Sequence, residues 1–190
     1  MKDSKQLYIF AAKCIALYLV WLLIEYLFFA TNSPVNQVIT YNIAALSSVV
    51  LGMLGYNAEP RVVQNMYNMI YVDGLPAVSI EDGCNGVVLM VLFAGFVIAY
   101  PGPVAKKLWY IPAGLVVIYF LNIIRCVALV LIFKNSSIES FDFNHKYTFT
   151  TTLYAIIFGM WMLWANKFAK VNEDEDGSDT LTAGSPASAV

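Results

Sequence analysis

Three side chains in this sequence have the chemistry of a catalytic group: the thiol of Cys84, the guanidinium of Arg125 and the imidazole of His145. Cys84 lies in the segment 81–86, of sequence EDGCNG, directly before an apolar run. A helix N-terminus offers free amide donors and a partial positive charge, and both favour the nucleophilic thiolate. The glycines beside it would let the backbone of a substrate approach closely. Cys84 is therefore a candidate nucleophile, with a small buried residue in a helix-entry turn as the simpler interpretation.

Arg125 lies well inside the long apolar run 108–133. An arginine inside a membrane span is costly, so it usually faces a polar cavity and acts there. Asn122 lies three residues earlier, on the same face of a helix. Arg125 could therefore hold the oxyanion of a tetrahedral intermediate, and the plainer alternative is a side chain that snorkels to the interface. Cys126 points about 100° away from it and is predicted to be a packing residue.

His145 is the single histidine of the chain. Imidazole can take up and release a proton near neutral pH, and a Cys–His pair activates a thiol and later protonates a leaving amine. A loop histidine at the lipid interface is the simpler alternative. Glu25, in the outer part of the first apolar run, could pair with Arg125 or simply reach the interface.

The elements that position these groups are predicted to be membrane helices. The chain has 190 residues, of which 59% are hydrophobic and 13% charged, whereas an ordinary soluble domain is roughly 25% charged. This composition excludes a soluble monomer and a disordered chain. A net charge of −2 without a basic face argues against a nucleic-acid binder. One histidine and three cysteines, two of them in apolar runs, provide too few ligands for a zinc site, so no metal or cofactor is expected.

The hydropathy pattern predicts an all-α integral membrane protein with four or five transmembrane helices. The clear apolar runs cover residues 7–30, 86–100, 108–133 and 147–168, with a polar loop at 134–146. A further run, 38–56, contains polar residues and could span the membrane or lie along it as an amphipathic helix. Residues 1–170 are predicted to form one membrane domain, followed by a disordered acidic and polar tail over 171–190.

A short β-hairpin is expected between the second and third of these elements. Asp73-Gly74 separates the strand-like segments 69–72 and 75–80, and an Asp-Gly pair in this setting is a strong hairpin signal. Pro76 cannot donate a backbone hydrogen bond, so its strand is predicted to lie at an edge or to start after the proline.

Lysines at the ends of the runs predict the orientation, because cytoplasmic loops carry an excess of basic residues. Lys106 and Lys107 form the densest basic loop, and Lys167 and Lys170 end the last run. If 38–56 lies along the membrane, more basic residues fall on the cytoplasmic side than outside, as the rule requires. If 38–56 spans the membrane, more of them fall outside. Four spans are therefore the preferred arrangement, with the hairpin outside the cell.

In either arrangement the three candidate groups share one depth near the extracytoplasmic boundary. Cys84 lies at the outer entrance of its helix, and His145 lies just before the outer start of the last one. Arg125 lies eight residues before the outer end of the run 108–133, about 12 Å at 1.5 Å per residue. This convergence is the most informative feature of the sequence.

In order and spacing, these residues resemble the exosortase/archaeosortase family of membrane cysteine transpeptidases, in the form of a short, minimal member. The motifs are Cys84-Asn85-Gly86, Asn122-Ile123-Ile124-Arg125 and His145, within a matching stretch of about 46–168. The resemblance implies a thiol protease in the cell membrane, with its active site on the extracytoplasmic side. Its protein substrates would be membrane-anchored and carry a C-terminal sorting signal, and an acceptor would take the product from a Cys thioester.

The resemblance also implies the role of each residue. Cys84 would be the nucleophile, His145 the general acid and base, and Arg125 the group that stabilises the oxyanion or substrate. Asn122, Gly86 and Asn85 would be supporting positions. One strand edge of the hairpin, which leads into the cysteine, is hypothesised to pair with an extended substrate segment. A non-enzymatic membrane assembly partner, with Arg125 paired to an acidic residue of another helix, and a small transporter component are the alternatives.

Overall fold

The computed structural model describes residues 2–28, 34–63, 67–81 and 84–168. Within these ranges the chain forms helices and one small sheet. In chain order the elements are α1 (Lys2–Phe28), α2 (Pro34–Met53), β1 (Ala58–Val63), β2 (Tyr67–Val72), β3 (Leu75–Ile80), α3 (Val87–Ala99), α4 (Val104–Asn135), α5 (Ile138–Phe143) and α6 (Phe149–Leu163), with π-helical turns at Asn144–Thr148 and Trp164–Phe168. The predicted tail, 171–190, lies outside the described residues.

Three helical segments of the described chain are long and apolar enough to cross a membrane: Tyr8–Tyr26, Val104–Asn135 and Ile138–Phe168. The protein is therefore a multi-pass membrane protein, as predicted. The remaining predicted span, 86–100, contains α3, which has only 13 residues and is about 20 Å long. A bilayer core is about 30 Å thick, so α3 by itself is shorter than a full span.

The predicted polar loop at 134–146 is wrong. α4 continues to Asn135, and α5 begins at Ile138. The hydroxyl of Ser137 accepts a hydrogen bond from the backbone N–H of Ser140 at 3.3 Å and so caps α5. The helix can start this early because its aromatic side chains pack: the rings of Phe133 and Phe141 lie 5.9 Å apart.

The run 38–56 forms α2, which begins four residues earlier, at Pro34. Proline is favoured in the first turn of a helix. The buried face of α2 is mixed: it contains the polar residues Asn36, Thr40, Ser47 and Ser48 together with Ile43, Ala44 and Leu51. Its exposed side is apolar and includes Leu46, Val49, Val50 and Met53. Most large apolar side chains of this helix therefore point outward, which is the reverse of a helix packed on a soluble core and suits contact with lipid.

The predicted hairpin is present and belongs to a larger sheet. Its two strands, β2 and β3, are antiparallel and joined at Asp73-Gly74, whose φ angles are 54° and 79°. Two successive positive φ angles are typical of the tight turn that Asp-Gly favours. β3 is an edge strand, in agreement with the position of Pro76.

The prediction of two strands is incomplete, since β1 pairs with the other side of β2 to give the order β1-β2-β3. The segment Glu59-Pro60-Arg61 lacks an apolar strand pattern, which is why the sequence did not indicate it. As an edge strand, β1 tolerates proline, and the guanidinium of Arg61 lies 4.6 Å from the centre of the Tyr71 ring.

α4 carries two hydrophobic cores, one along each half. The earlier half packs against α3 and α6 in a cluster that includes Phe93, Tyr110, Ile118, Ile157 and Trp164. The later half packs against α2 and the sheet in a cluster that includes Ile43, Ile70, Val78, Val127 and Val130. α4 is thus the common support of the apolar helices and the sheet, and Arg125 lies on its second half.

Candidate active site

Cys84 follows the last strand of the sheet, and two residues, Asn85 and Gly86, lie between it and α3. Its backbone N–H donates a hydrogen bond to the carbonyl oxygen of Glu81 at 2.8 Å, which holds the cysteine close to the end of β3. The thiol is half-buried and is not in a disulfide. The sheet and α3 together therefore hold the sulfur at a defined point that remains reachable.

The structure brings the three candidate groups together. The Cys84 sulfur lies 3.7 Å from Nε2 of His145 and 3.7 Å from Nη2 of Arg125. They come from three separate places: the β3–α3 junction, α4 and the π-helical turn before α6. The thiol thus has an acid–base group and a permanent positive charge in contact with it.

His145 lies in the π-helical turn Asn144–Thr148 rather than in the predicted loop. Such a turn inserts one extra residue into a helix and is often found at functional sites. The ring of Phe141, four residues earlier, is parallel to the imidazole with centroids 6.0 Å apart. This stacking and the wide turn orient the imidazole toward Cys84.

All three groups line a cavity of about 260 Å³. One wall consists of Ala77, Val78, Ser79, Ile80 and Glu81, and the other of Cys126, Leu129, Phe133 and Phe141. Most of this lining is apolar. The reacting groups therefore lie in a sheltered space where electrostatic interactions are stronger than in bulk water.

Arg125 faces the thiol, and no carboxylate in the part of the chain that the structure describes forms an ion pair with it. Among the described residues the ion pairs are Arg61–Glu59 and Lys134–Asp73, so Glu25 is not paired with Arg125 there. The Nε atom of Arg125 is buried and has no hydrogen-bond partner in the described part of the chain. Its positive charge is thus available to stabilise a thiolate or a developing oxyanion.

Asn85, the residue after Cys84, is hydrogen-bonded to two helices, α3 and α2. Its Oδ1 accepts a hydrogen bond from the backbone N–H of Val87 at 3.0 Å, which satisfies a free donor at the start of α3. Its Nδ2 donates to Oδ1 of Asn36 at 2.9 Å. Both asparagines are buried, with 1% of Asn85 and 5% of Asn36 exposed. This amide pair ties the residue after Cys84 to the first turns of α2.

Gly86 and Asn122 form a close contact between α3 and α4. Gly86 has a φ of 78°, and a Cβ atom at this position would lie 1.6 Å from Nδ2 of Asn122. Asn122 is fully buried, and its side-chain polar atoms have no hydrogen-bond partner within the ranges described. The glycine is therefore required both for its backbone conformation and for the approach of α4.

Asn36 and Phe141 were not predicted from the sequence to be site residues. Asn36 lies before the run 38–56, and the feature that could have indicated its role is the polar face that it forms with Thr40, Ser47 and Ser48. Phe141 lies in the segment assigned to a loop. The prediction that Cys126 packs is confirmed, since only 4% of it is exposed.

Comparison with known proteins gives one match. A family model described as transmembrane exosortase matches residues 5–167, a range that contains every residue of the site above. No curated protein and no solved structure matches the chain.

Replacing Gly86 with alanine is expected to lower the free energy of unfolding by at least about 2 kcal/mol, because the Cβ atom meets Asn122 and the left-handed backbone is strained. Thermal unfolding in detergent measures this. Gly95→Ala in α3 is the control, since its Cβ has nothing within 4 Å. Equal unfolding temperatures for the two variants would contradict the contact.

Asn36→Ala is expected to cost about 1–3 kcal/mol of stability, because it leaves the buried amide of Asn85 without its acceptor. Asn36→Asp keeps that acceptor and should retain more of the stability. Asn42→Ala, on the exposed side of the same helix, should change little. The same unfolding measurement applies, and equal losses for positions 36 and 42 would show that the amide pair is not important.

Proposed function

The chain belongs to the transmembrane exosortase family, and from this membership and the contacts of Cys84 we propose that it is a membrane-embedded cysteine transpeptidase. It cleaves a C-terminal sorting signal of exported proteins through a Cys thioester and transfers the product to an acceptor. The observation that carries the proposal is the position of the Cys84 sulfur, 3.7 Å from both His145 and Arg125.

The proposed first step is attack by the thiolate. Nε2 of His145 takes the proton of the Cys84 thiol, and the sulfur then adds to the carbonyl carbon of the scissile peptide bond. The negative charge that develops on the carbonyl oxygen is stabilised by the guanidinium of Arg125. The tetrahedral intermediate collapses when His145 protonates the leaving amine, which departs with the membrane anchor. The upstream part of the substrate remains on the sulfur as a thioester.

The second step releases the product. The nucleophilic group of the acceptor approaches the same carbonyl carbon, and the neutral imidazole of His145 takes its proton. Arg125 stabilises the second oxyanion, and the sulfur leaves as a thiolate. The half-buried position of Cys84 favours transfer over hydrolysis to the extent that bound substrate keeps water from the thioester.

The proposed location is the cytoplasmic membrane, with the active site on the extracytoplasmic side. Lys106 and Lys107 lie in the first turn of α4, next to the end of α3, and the positive-inside rule favours the cytoplasm for such a basic pair. The ammonium group of Lys107 donates hydrogen bonds to the carbonyl oxygens of Ile98 at 2.9 Å and Tyr100 at 2.7 Å, which end α3. Cys84 precedes the opposite end of α3 and would therefore lie near the outer boundary of the bilayer.

The proposed partners are protein substrates anchored in the same bilayer. A substrate held by its own helix presents its cleavage point at a nearly constant height above the membrane core. Because the three reactive groups lie at that height, the membrane anchor of the substrate brings the cleavage point to them. Positioning of this kind is a major source of rate enhancement.

In cells whose chromosomal gene for this protein carries Cys84→Ala, anchored surface proteins are expected to keep their C-terminal segments uncleaved, because no thioester can form. Mass spectrometry of C-terminal peptides in the membrane fraction detects them. Cys14→Ser is the matched control, since this thiol is also half-buried and lies outside the cavity. Normal processing in the Cys84→Ala strain would refute the proposal and favour an assembly role.

Arg125→Gln is expected to slow the alkylation of Cys84 roughly five- to tenfold, since a unit charge about 4 Å away contributes at least about 1 kcal/mol even in water. Arg125→Lys should keep much of the rate because it keeps the charge. The test uses a membrane-impermeant maleimide on intact cells, with the modified cysteine identified by peptide mass spectrometry. Labelling only after the cells are broken would place the thiol on the other side of the membrane.

A further inference from the structure

The edge of β3 forms one side of the cavity that contains Cys84. Five consecutive residues, Ala77 to Glu81, line it. Successive side chains of a strand point to opposite faces, so a surface made by consecutive residues follows the edge of a strand rather than one of its faces. Among the described residues β3 pairs with β2 alone, so the backbone groups on its other side lie outside the sheet that these residues form.

The cavity forms a groove along the edge of β3, and the opposite wall of this groove is apolar. Leu129 and Phe133 lie one turn apart on α4, and Phe141 completes the wall from α5. A groove with a strand edge on one side and apolar side chains on the other matches an extended peptide, whose main chain pairs with the strand while alternate side chains enter the apolar space.

Both ends of the groove are defined. At one end Pro76, which pairs with Tyr71 beside an irregularity in the strand register, has no N–H to donate. At the other end lie Cys84, Arg125 and His145. The edge available for pairing therefore consists of residues 77–80 of β3 and continues to Glu81, and five residues span about 16 Å when extended.

The direction of β3 follows from its contacts with α4. Asp73, just before β3, is ion-paired with Lys134 near the end of α4. Cys84, after β3, contacts Arg125, nine positions earlier in the same helix. β3 thus runs antiparallel to α4, from the outer end of that helix toward the reactive groups.

We propose that the free edge of β3 binds the substrate segment upstream of the scissile bond as an added parallel strand. Its apolar side chains would face Leu129, Phe133 and Phe141. This inference rests on the proposed function, because a substrate folded outside the cell and anchored in the bilayer runs in the same direction as β3. The groove then delivers the carbonyl carbon of the last paired residue to the sulfur of Cys84.

Peptide electrophiles test the edge and the direction in the unmodified protein. The probes are acetyl-Leu-Ala-Leu-Ala-Gly chloromethyl ketone and the same residues as an amide with an N-terminal chloroacetyl group. Parallel binding is expected to make the C-terminal chloromethyl ketone alkylate Cys84 at least about tenfold faster than chloroacetone, which corresponds to one or two net hydrogen bonds. A greater rate gain for the N-terminal chloroacetyl peptide, relative to chloroacetamide, would show antiparallel binding and overturn the proposal.

N-methylation of the probe tests the main-chain pairing. Alternate amides of a strand point to the same side, so methylation of one alternate set should remove most of the rate gain and methylation of the other set much less. Equal effects of the two sets would contradict strand addition. Phe133→Ala should reduce the gain, whereas Phe120→Ala, an exposed phenylalanine of α4 outside the cavity, should not.

These outcomes separate the inference from the proposed function. If the peptide probes show no gain over the small electrophiles while processing in cells still depends on Cys84, strand addition is wrong and the transpeptidase remains. If processing does not depend on Cys84, the function itself is wrong, whatever the probes show.

Discussion

A positive charge inside an apolar helix is the constraint on which the arrangement depends. Arg125 lies within α4, a segment long and apolar enough to cross a membrane, and burying a charge there is costly unless a polar space receives it. The fold provides that space by placing Cys84 and His145 against the guanidinium and by lining the cavity with the edge of β3. No carboxylate in the described ranges pairs with Arg125, so its charge remains directed at the sulfur.

The small sheet acts as a positioning device for the thiol. It packs on α2 and on the later half of α4, and its last strand leads directly to Cys84. The turn before that strand is held at the end of α4 by Lys134, whose ammonium group hydrogen-bonds Asp73 and keeps the pKa of that carboxyl below its usual range. The sheet is thus attached to α4 at both ends of β3, once through this pair and once through the contact of Cys84 with Arg125.

Buried polar contacts complete the positioning. The amides of Asn36 and Asn85 join α2 to the start of α3, and Gly86 lets Asn122 of α4 approach the same turn. Buried amides are costly when unpaired, so the hydrogen bond between Asn36 and Asn85 favours one relative placement of α2 and α3. From the polar face of α2, Asn36 makes this contact, whereas the hydroxyl groups of Thr40 and Ser48 donate to carbonyl oxygens of their own helix.

Much of this architecture follows from local sequence. Apolar runs of sufficient length predict membrane helices because the bilayer requires internal backbone hydrogen bonding. Asp73-Gly74 predicts its turn because both residues accept positive φ angles, and Pro76 predicts an edge strand because it lacks an N–H. The spacing of Cys84, Arg125 and His145 relative to the run ends, with the basic loops, was enough to expect one shared depth.

Other features depend on contacts between distant segments. β1 has no apolar strand pattern and forms because β2 offers an edge. α5 replaces a predicted loop because Phe141 packs on Phe133 and on the imidazole of His145. Asn36 matters only because Asn85, the residue after Cys84, lies against α2. The sequence by itself predicted which groups could react and that they share one depth in the membrane. Only the tertiary structure decided that they touch, because distances of a few ångströms depend on the packing of several helices and the sheet at once.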